Sequence, residues 1–199
     1  MSTALFIVDV QNDFTERGAL GVAGGDEVAE RITRFLAAHA DDYAIIVASR
    51  DWHDDTGDNG GHFAAEPDFV DTWPAHCVAG TYGAEYDEVF DTSRVTHHLR
   101  KGQGKPAYSL FEGIGDDGET AAHLLDEHGI LDVHLVGLAT DYCVRASALD
   151  AIAAGRHVRV YTDLVAGVHP DSSERALAEI AHAGGELVVS DAAGSEGAG

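Results

Sequence analysis

Apolar and polar positions alternate along the chain with two periods. ALFIVDV (4–10) is a nearly unbroken apolar run, the pattern of a strand covered on both faces. DEVAERITRFLAAHA follows, with Val28, Ile32, Phe35 and Leu36 on one helical face, and then AIIVAS (44–49), so the chain opens as a βαβ unit. After a long irregular segment the alternation resumes with VTHHLRKG (95–102), helical ETAAHLLDEHG (119–129) and VHLVGLA (133–139). Helical DYCVRASALDAIAAG, HVRVYTDLVAG (157–167), helical SSERALAEIAHAG and ELVVS (186–190) complete it. This pattern predicts an α/β fold: a doubly wound, mostly parallel sheet with helices on both faces. Residues 1–190 are expected to form a single domain, and the small, polar DAAGSEGAG (191–199) a flexible C-terminal tail.

Composition narrows the function. The chain has 199 residues and a formal charge of -23, from 35 acidic and 12 basic residues, with no basic stripe to neutralise phosphates, which argues against nucleic acid. No apolar run reaches membrane-spanning length, MSTALFIVDV lacks the basic start of a signal peptide, and Cys77 and Cys143 make no disulfide framework. A cytoplasmic protein without a membrane partner is expected.

In a doubly wound sheet, ligands bind beyond the carboxyl ends of the strands, so polar residues that end apolar runs are the candidates. Asp9 interrupts the first run, Asp51 and His53 follow AIIVAS, Lys101 ends VTHHLRK, and Cys143 starts the helix after VHLVGLAT. The amides and dipole of that helix, capped by Thr140 or Asp141, favour a thiolate at Cys143. Asp9 could serve as its base, Lys101 as the cation and GLATDYC as the source of oxyanion N–H groups. Taken singly, each has a plain structural role open to it: a turn cap, a snorkelling lysine, a small buried cysteine.

SRDWHDDTGDNGGHF (49–63) reads by itself either as an acidic loop or as a metal site. Alternation places Asp51 and His53 on the same side of an extended segment, and His62 and His76 complete a set of three imidazoles and one carboxylate. Such a set suits Zn, Fe(II) or Mn(II). Cys77, adjacent to His76, would point away. Of the other histidines, His123, His128 and His182 lie in helical segments, and His97 and His98 sit beside the third strand.

Together these segments resemble the nicotinamidases, also called pyrazinamidases, of the isochorismatase-like cysteine hydrolase superfamily. The resemblance rests on IVDVQNDF (7–14), DWH, GHF, WPAHC, the lysine of RKG, YSLFEG (108–113) and GLATDYCVRASALDA (137–151), and covers nearly the whole chain. It implies a catalytic triad of Asp9, Lys101 and Cys143, and one divalent metal ion (Zn, Fe or Mn) on Asp51, His53, His62 and His76. A cis peptide bond between Leu138 and Ala139 is implied as well, with the N–H groups of Ala139 and Cys143 as oxyanion hole and Phe14, Trp73, Tyr108 and Leu138 against the substrate. The implied reaction converts nicotinamide to nicotinate and ammonia through a thioester, with pyrazinamide as a second substrate, in NAD salvage; a homo-oligomer is compatible with it. Two rivals share parts of the pattern: an amidohydrolase of the same superfamily acting on a carbamoyl or vinyl-ether substrate, and a non-enzymatic metal buffer.

Overall fold

The structure, a computed structural model, describes residues 2–191. Of the segment expected to form a flexible tail, all but Asp191 lies outside them. Six strands are present: β1 (Thr3–Val8), β2 (Ile45–Asp51), β3 (His97–Lys101), β4 (Asp132–Leu138), β5 (His157–Ala166) and β6 (Glu186–Val188). They form one sheet in the order β3-β2-β1-β4-β5-β6, and every neighbouring pair is parallel. Four helices cross between strands: α1 (Gly25–His39), α2 (Ala121–Glu127), α3 (Arg145–Ala153) and α4 (Pro170–His182).

Strand alternation divides the core in two. Leu5, Ile7, Ile46 and Ala48 face α1, whose Val28, Ala29, Ile32, Phe35 and Leu36 form the stripe expected from the sequence. Phe6, Val8, Val47, Leu99 and Leu135 face the other way, onto Leu124 and Leu125 of α2, Ala148 and Ala151 of α3, and Ile180 of α4. Ile32 is fully buried; truncating it to alanine would cost about 2–5 kcal/mol and loosen α1 from the sheet. No side chain of α1's own caps its start. Glu16 does so from the preceding loop, accepting hydrogen bonds from the N–H groups of Gly24 at 2.8 Å and Asp26 at 2.6 Å.

Several elements differ from their expected bounds. β1 stops at Val8 because Asp9 turns into the left-handed region, φ 46. The two edge strands are shorter than VTHHLRKG and ELVVS suggest, each having one strand neighbour; β3 adds an isolated bridge from Arg100 to Ile114. After β4 the chain makes one wide π-type turn, Thr140–Val144, before α3, and its N-cap is Ala139 rather than Thr140 or Asp141. Asp141 instead accepts hydrogen bonds from Val168 N–H, His169 N–H and Ser172 Oγ, fastening the segment between β5 and α4.

The strand order creates the crevice. β1 leads to β2 on one side, β4 to β5 on the other, so the connections diverge at the carboxyl ends of β1 and β4. Those two strands approach closely at Gly137, φ 116, where a Cβ would lie 2.1 Å from the Val8 carbonyl oxygen, so only glycine fits.

Candidate active site and metal centre

Parallel register brings the first groups together. Asp51, last in β2, pairs with Lys101, last in β3. Lys101 is fully buried; its Nζ lies 2.9 Å from Asp9 Oδ2, touches Asp51 Oδ1 and sits 3.7 Å from Cys143 Sγ. One ammonium therefore serves two carboxylates and a thiol. Asp9 Oδ1 accepts a 2.7 Å hydrogen bond from Ser49, whereas Oδ2 is buried and accepts no well-angled hydrogen bond. Ligand atoms of Asp9, Asp51 and Cys143 all lie within 4.8 Å of one another.

Electrostatics assigns the protons. Burial raises the Asp9 pKa, with Lys101 opposing it. For Asp51 burial pushes the same way but is outweighed by Lys101 and by the imidazoles of His53 and His76, so its carboxyl is held well below the usual range. Lys101 goes well above its ordinary value, because the charges of Asp51 and Asp9 outweigh the cost of burying it. Burial also pushes the Cys143 thiol well up, despite Lys101. The thiolate expected from the helix terminus is overridden by desolvation, so the resting residue is a neutral thiol beside a carboxylate of raised proton affinity.

The long segment between β2 and β3 is irregular but pinned. His53 pairs with Cys77 and Val78, its N–H donating to the Cys77 carbonyl at 3.0 Å, and Trp73 N–H donates to the His62 carbonyl at 2.9 Å. Gln11 clamps Asp51, accepting from its N–H at 2.8 Å and donating to its carbonyl at 2.9 Å, while Asp13 accepts from Cys77 N–H at 2.7 Å. The polar residues of VQNDF thus hold the candidate ligands in place from β1's end, a role the sequence did not disclose.

These clamps gather His53, His62 and His76, whose nearest ligand atoms lie within 4.8 Å of one another. Asp51 Oδ2 is 3.7 Å from Nε2 of both His53 and His76. The Gly102 carbonyl, 2.8 Å from His53 Nδ1, can only accept, which puts the ring proton there and leaves Nε2 a bare lone pair, buried without a partner. His76 makes the same kind of bond to the Pro74 carbonyl at 2.9 Å. His62 Nδ1 is likewise buried and unpartnered, and burial, then His76 and His53, lowers its pKa to about 4, keeping it neutral. Three imidazoles, two of them with a buried nitrogen that has no partner, beside a carboxylate held ionised suit a divalent metal ion. Gly102, φ 87, is part of the construction: a Cβ there would fall 2.5 Å from His53 Cε1.

Above these groups opens a cavity of about 490 Å³. Cys143, Ala139, Asp51, His62 and His76 contribute to its walls together with Phe14, Trp73 and Tyr108, while Asp9, Lys101 and His53 lie buried beneath. Trp73 Nε1 donates to Tyr108 Oη at 3.0 Å, and Glu112 fixes Tyr108 by accepting from its N–H at 2.8 Å. Leu138, expected against the substrate, is not in the wall: it is fully buried with the α1-side core, because the last residue of β4 faces that layer. The Leu138–Ala139 peptide bond is cis, as the resemblance implied. Lining residues not foreseen include Leu20, Val22, Phe69, Tyr142, Val168 and His169.

A family model described as the isochorismatase domain matches residues 3–192, and the chain belongs to that family. Among characterised relatives, the nicotinamidase/pyrazinamidase of Mycobacterium tuberculosis is 46% identical over 187 residues, 94% of this chain and 98% of that protein. Among solved structures, the Pyrococcus horikoshii pyrazinamidase in complex with zinc superposes with a TM-score of 0.81 at 37% identity, covering 96% of this chain and all (100%) of that one. The PnC1 protein of L. infantum in complex with nicotinate gives 0.82 at 32% identity, covering 96% and 94%. No helix among the described residues is long and apolar enough to cross a membrane.

Proposed function

We propose that this chain is a nicotinamidase, hydrolysing nicotinamide to nicotinate and ammonia, and pyrazinamide to pyrazinoate, in cytoplasmic NAD salvage. One observation carries the reading: Lys101 joins Asp9, Cys143 and the ligand cluster at Asp51, beneath a cavity walled by Phe14, Trp73 and Tyr108. That arrangement couples a thiol nucleophile to a flat, aromatic-walled pocket with a metal centre at its side. Neither a plain metal buffer nor a site for an open-chain carbamoyl group needs both. The similarity to proteins named nicotinamidase and pyrazinamidase supports the same reading.

The resting thiol loses its proton to Asp9, whose buried carboxylate has the raised affinity a base needs. Sulfur attacks the carboxamide carbon, and the oxyanion is received by the N–H groups of Ala139 and Cys143. Ammonia leaves with the proton held by Asp9. Water, deprotonated by the same aspartate, then attacks the thioester, returning Cys143 and releasing nicotinate. Lys101 stays charged throughout and steadies the negative charge as it passes between Asp9 and sulfur, with the ionised Asp51 on its other side.

Asp51, His53, His62 and His76 would hold a divalent ion, Zn, Fe(II) or Mn(II), which supplies a Lewis-acid point for the ring nitrogen, directly or through water. The protein's own part is orientation: imidazole tautomers fixed by Gly102 and Pro74, and aromatic walls that keep the ring flat. All these residues come from one chain. The test is ammonia release from nicotinamide by metal-loaded protein, expected with the wild type and absent with Cys143→Ala; turnover of a carbamoyl or vinyl-ether substrate with none of nicotinamide would replace this reading.

A further inference from the structure

Phe69 combines two unfavourable features. Its backbone is left-handed, φ 58, where a bulky aromatic is a genuine outlier, and the residue is 54% exposed. Yet it forms part of the cavity wall.

The surrounding chain is built to hold it so. Asp68 Oδ1 accepts hydrogen bonds from the N–H groups of Val70, Asp71 and Thr72 and from Thr72 Oγ1, each at 2.9 Å. Phe69 N–H donates to the Thr72 carbonyl at 3.0 Å. Tyr142 Oη donates to the Phe69 carbonyl at 3.4 Å, and the Trp73 ring meets both Phe69 and Tyr142 edge-on, at 6.2 and 5.0 Å. The loop is thereby tied to the residue directly before Cys143. Strain held in place at a binding cavity, with apolar surface left open toward it, is accounted for if a ligand covers that surface.

Resting on the nicotinamidase reading, we propose that Phe69 is a specificity-determining residue, its ring a wall that selects flat aromatic carboxamides over aliphatic amides. A planar ring seated between Trp73 and Tyr108 would meet it and bury its exposed surface; an aliphatic amide would leave it wet. Asp68 acts through Phe69 as a positioning residue.

The experiment uses metal-loaded wild type, Phe69→Ala, Phe69→Tyr, Asp68→Ala and the Asp68→Ala/Phe69→Ala double variant. Two reactions are followed: steady-state hydrolysis of nicotinamide, and alkylation of Cys143 by iodoacetamide, a small aliphatic amide. Phe69→Ala is expected to raise KM for nicotinamide about tenfold while kcat changes less than about twofold and the alkylation rate is unaltered. Phe69→Tyr restores the wild-type KM. Asp68→Ala raises KM as Phe69→Ala does and adds nothing to it in the double variant. An unchanged KM in Phe69→Ala, a parallel loss of nicotinamide hydrolysis and alkylation, or additive effects in the double variant overturns the inference and leaves the functional reading standing. A wild type that releases no ammonia from nicotinamide while its Cys143 is alkylated overturns both.

Discussion

Replacing Lys101 with methionine removes the one cation among three buried groups while nearly preserving volume. The ammonium lies 2.9 Å from Asp9 and in contact with Asp51, and all three side chains are almost wholly enclosed. Breaking a buried ion pair by deleting one partner costs about 3–5 kcal/mol, a large share of the roughly 5–15 kcal/mol that holds a domain together. The loss depends on pH with a definite sign. Asp9 already has a raised folded-state pKa, so in the window between its unfolded and folded values the folded chain binds the extra proton, and stability falls as pH rises. Without Lys101 that pKa rises further and Asp51 loses its chief stabiliser, so the variant's deficit is greatest at alkaline pH and shrinks as protons replace the missing charge. Urea denaturation of chelator-treated protein should give a deficit of about 3–5 kcal/mol near pH 8 and one at least about 1 kcal/mol smaller near pH 5. Activity at neutral pH should drop by about 10²–10⁴, because a protonated Asp9 is no base. Lys105→Met, at an exposed position, supplies the control and should be silent in both assays. A pH-independent deficit, or equal effects of the two lysine substitutions, would refute the reasoning.

Further outcomes follow from the same geometry. Cys143→Ala should abolish turnover with fold and metal content intact, whereas Cys77→Ala, buried away from the cavity, should retain activity; the reverse pattern in an ammonia assay would reassign the nucleophile. His53→Ala should lose bound metal by elemental analysis, and Gly102→Ala, which crowds the His53 ring, should weaken metal binding by about 10–100-fold in a competition titration. His134, half-buried between Tyr43 and Tyr161, has its pKa lowered to about 4, chiefly by burial. The unfolded chain therefore takes up its proton first as pH falls, and stability should decline from about pH 6.5 toward pH 4, less steeply in His134→Gln; identical slopes would show that this imidazole is not the group responsible.

Much of the fold could be read from hydrophobic periods, because strands covered on both faces and helices with one apolar stripe leave unmistakable patterns. ALFIVDV and DEVAERITRFLAAHA are found as β1 and α1 to within a few residues. What the patterns could not give is which strands are neighbours, and so the pairing of Asp51 with Lys101 stayed hidden. The thiolate expected at Cys143 meets an opposing effect for a related reason: depth of burial, a tertiary property, pushes the thiol well up. The resemblance puts Leu138 against the substrate, but the pleat sends it into the core. Phe69 is not legible because a loop's sequence does not say over which rim it folds, although a bulky residue directly after an aspartate that caps its own turn is a signal for it.

On the proposed mechanism, Cys143 becomes acylated by the pyridine carboxamide. This acylation is tested most directly by quenching metal-loaded protein in acid during turnover of nicotinamide and mapping covalent adducts by peptide mass spectrometry. A nicotinoyl group is expected on the peptide containing Cys143, none on that containing Cys77, and it should disappear as substrate is exhausted. Ammonia release continuing in Cys143→Ala, or an acyl group found on any residue other than Cys143, would contradict the mechanism.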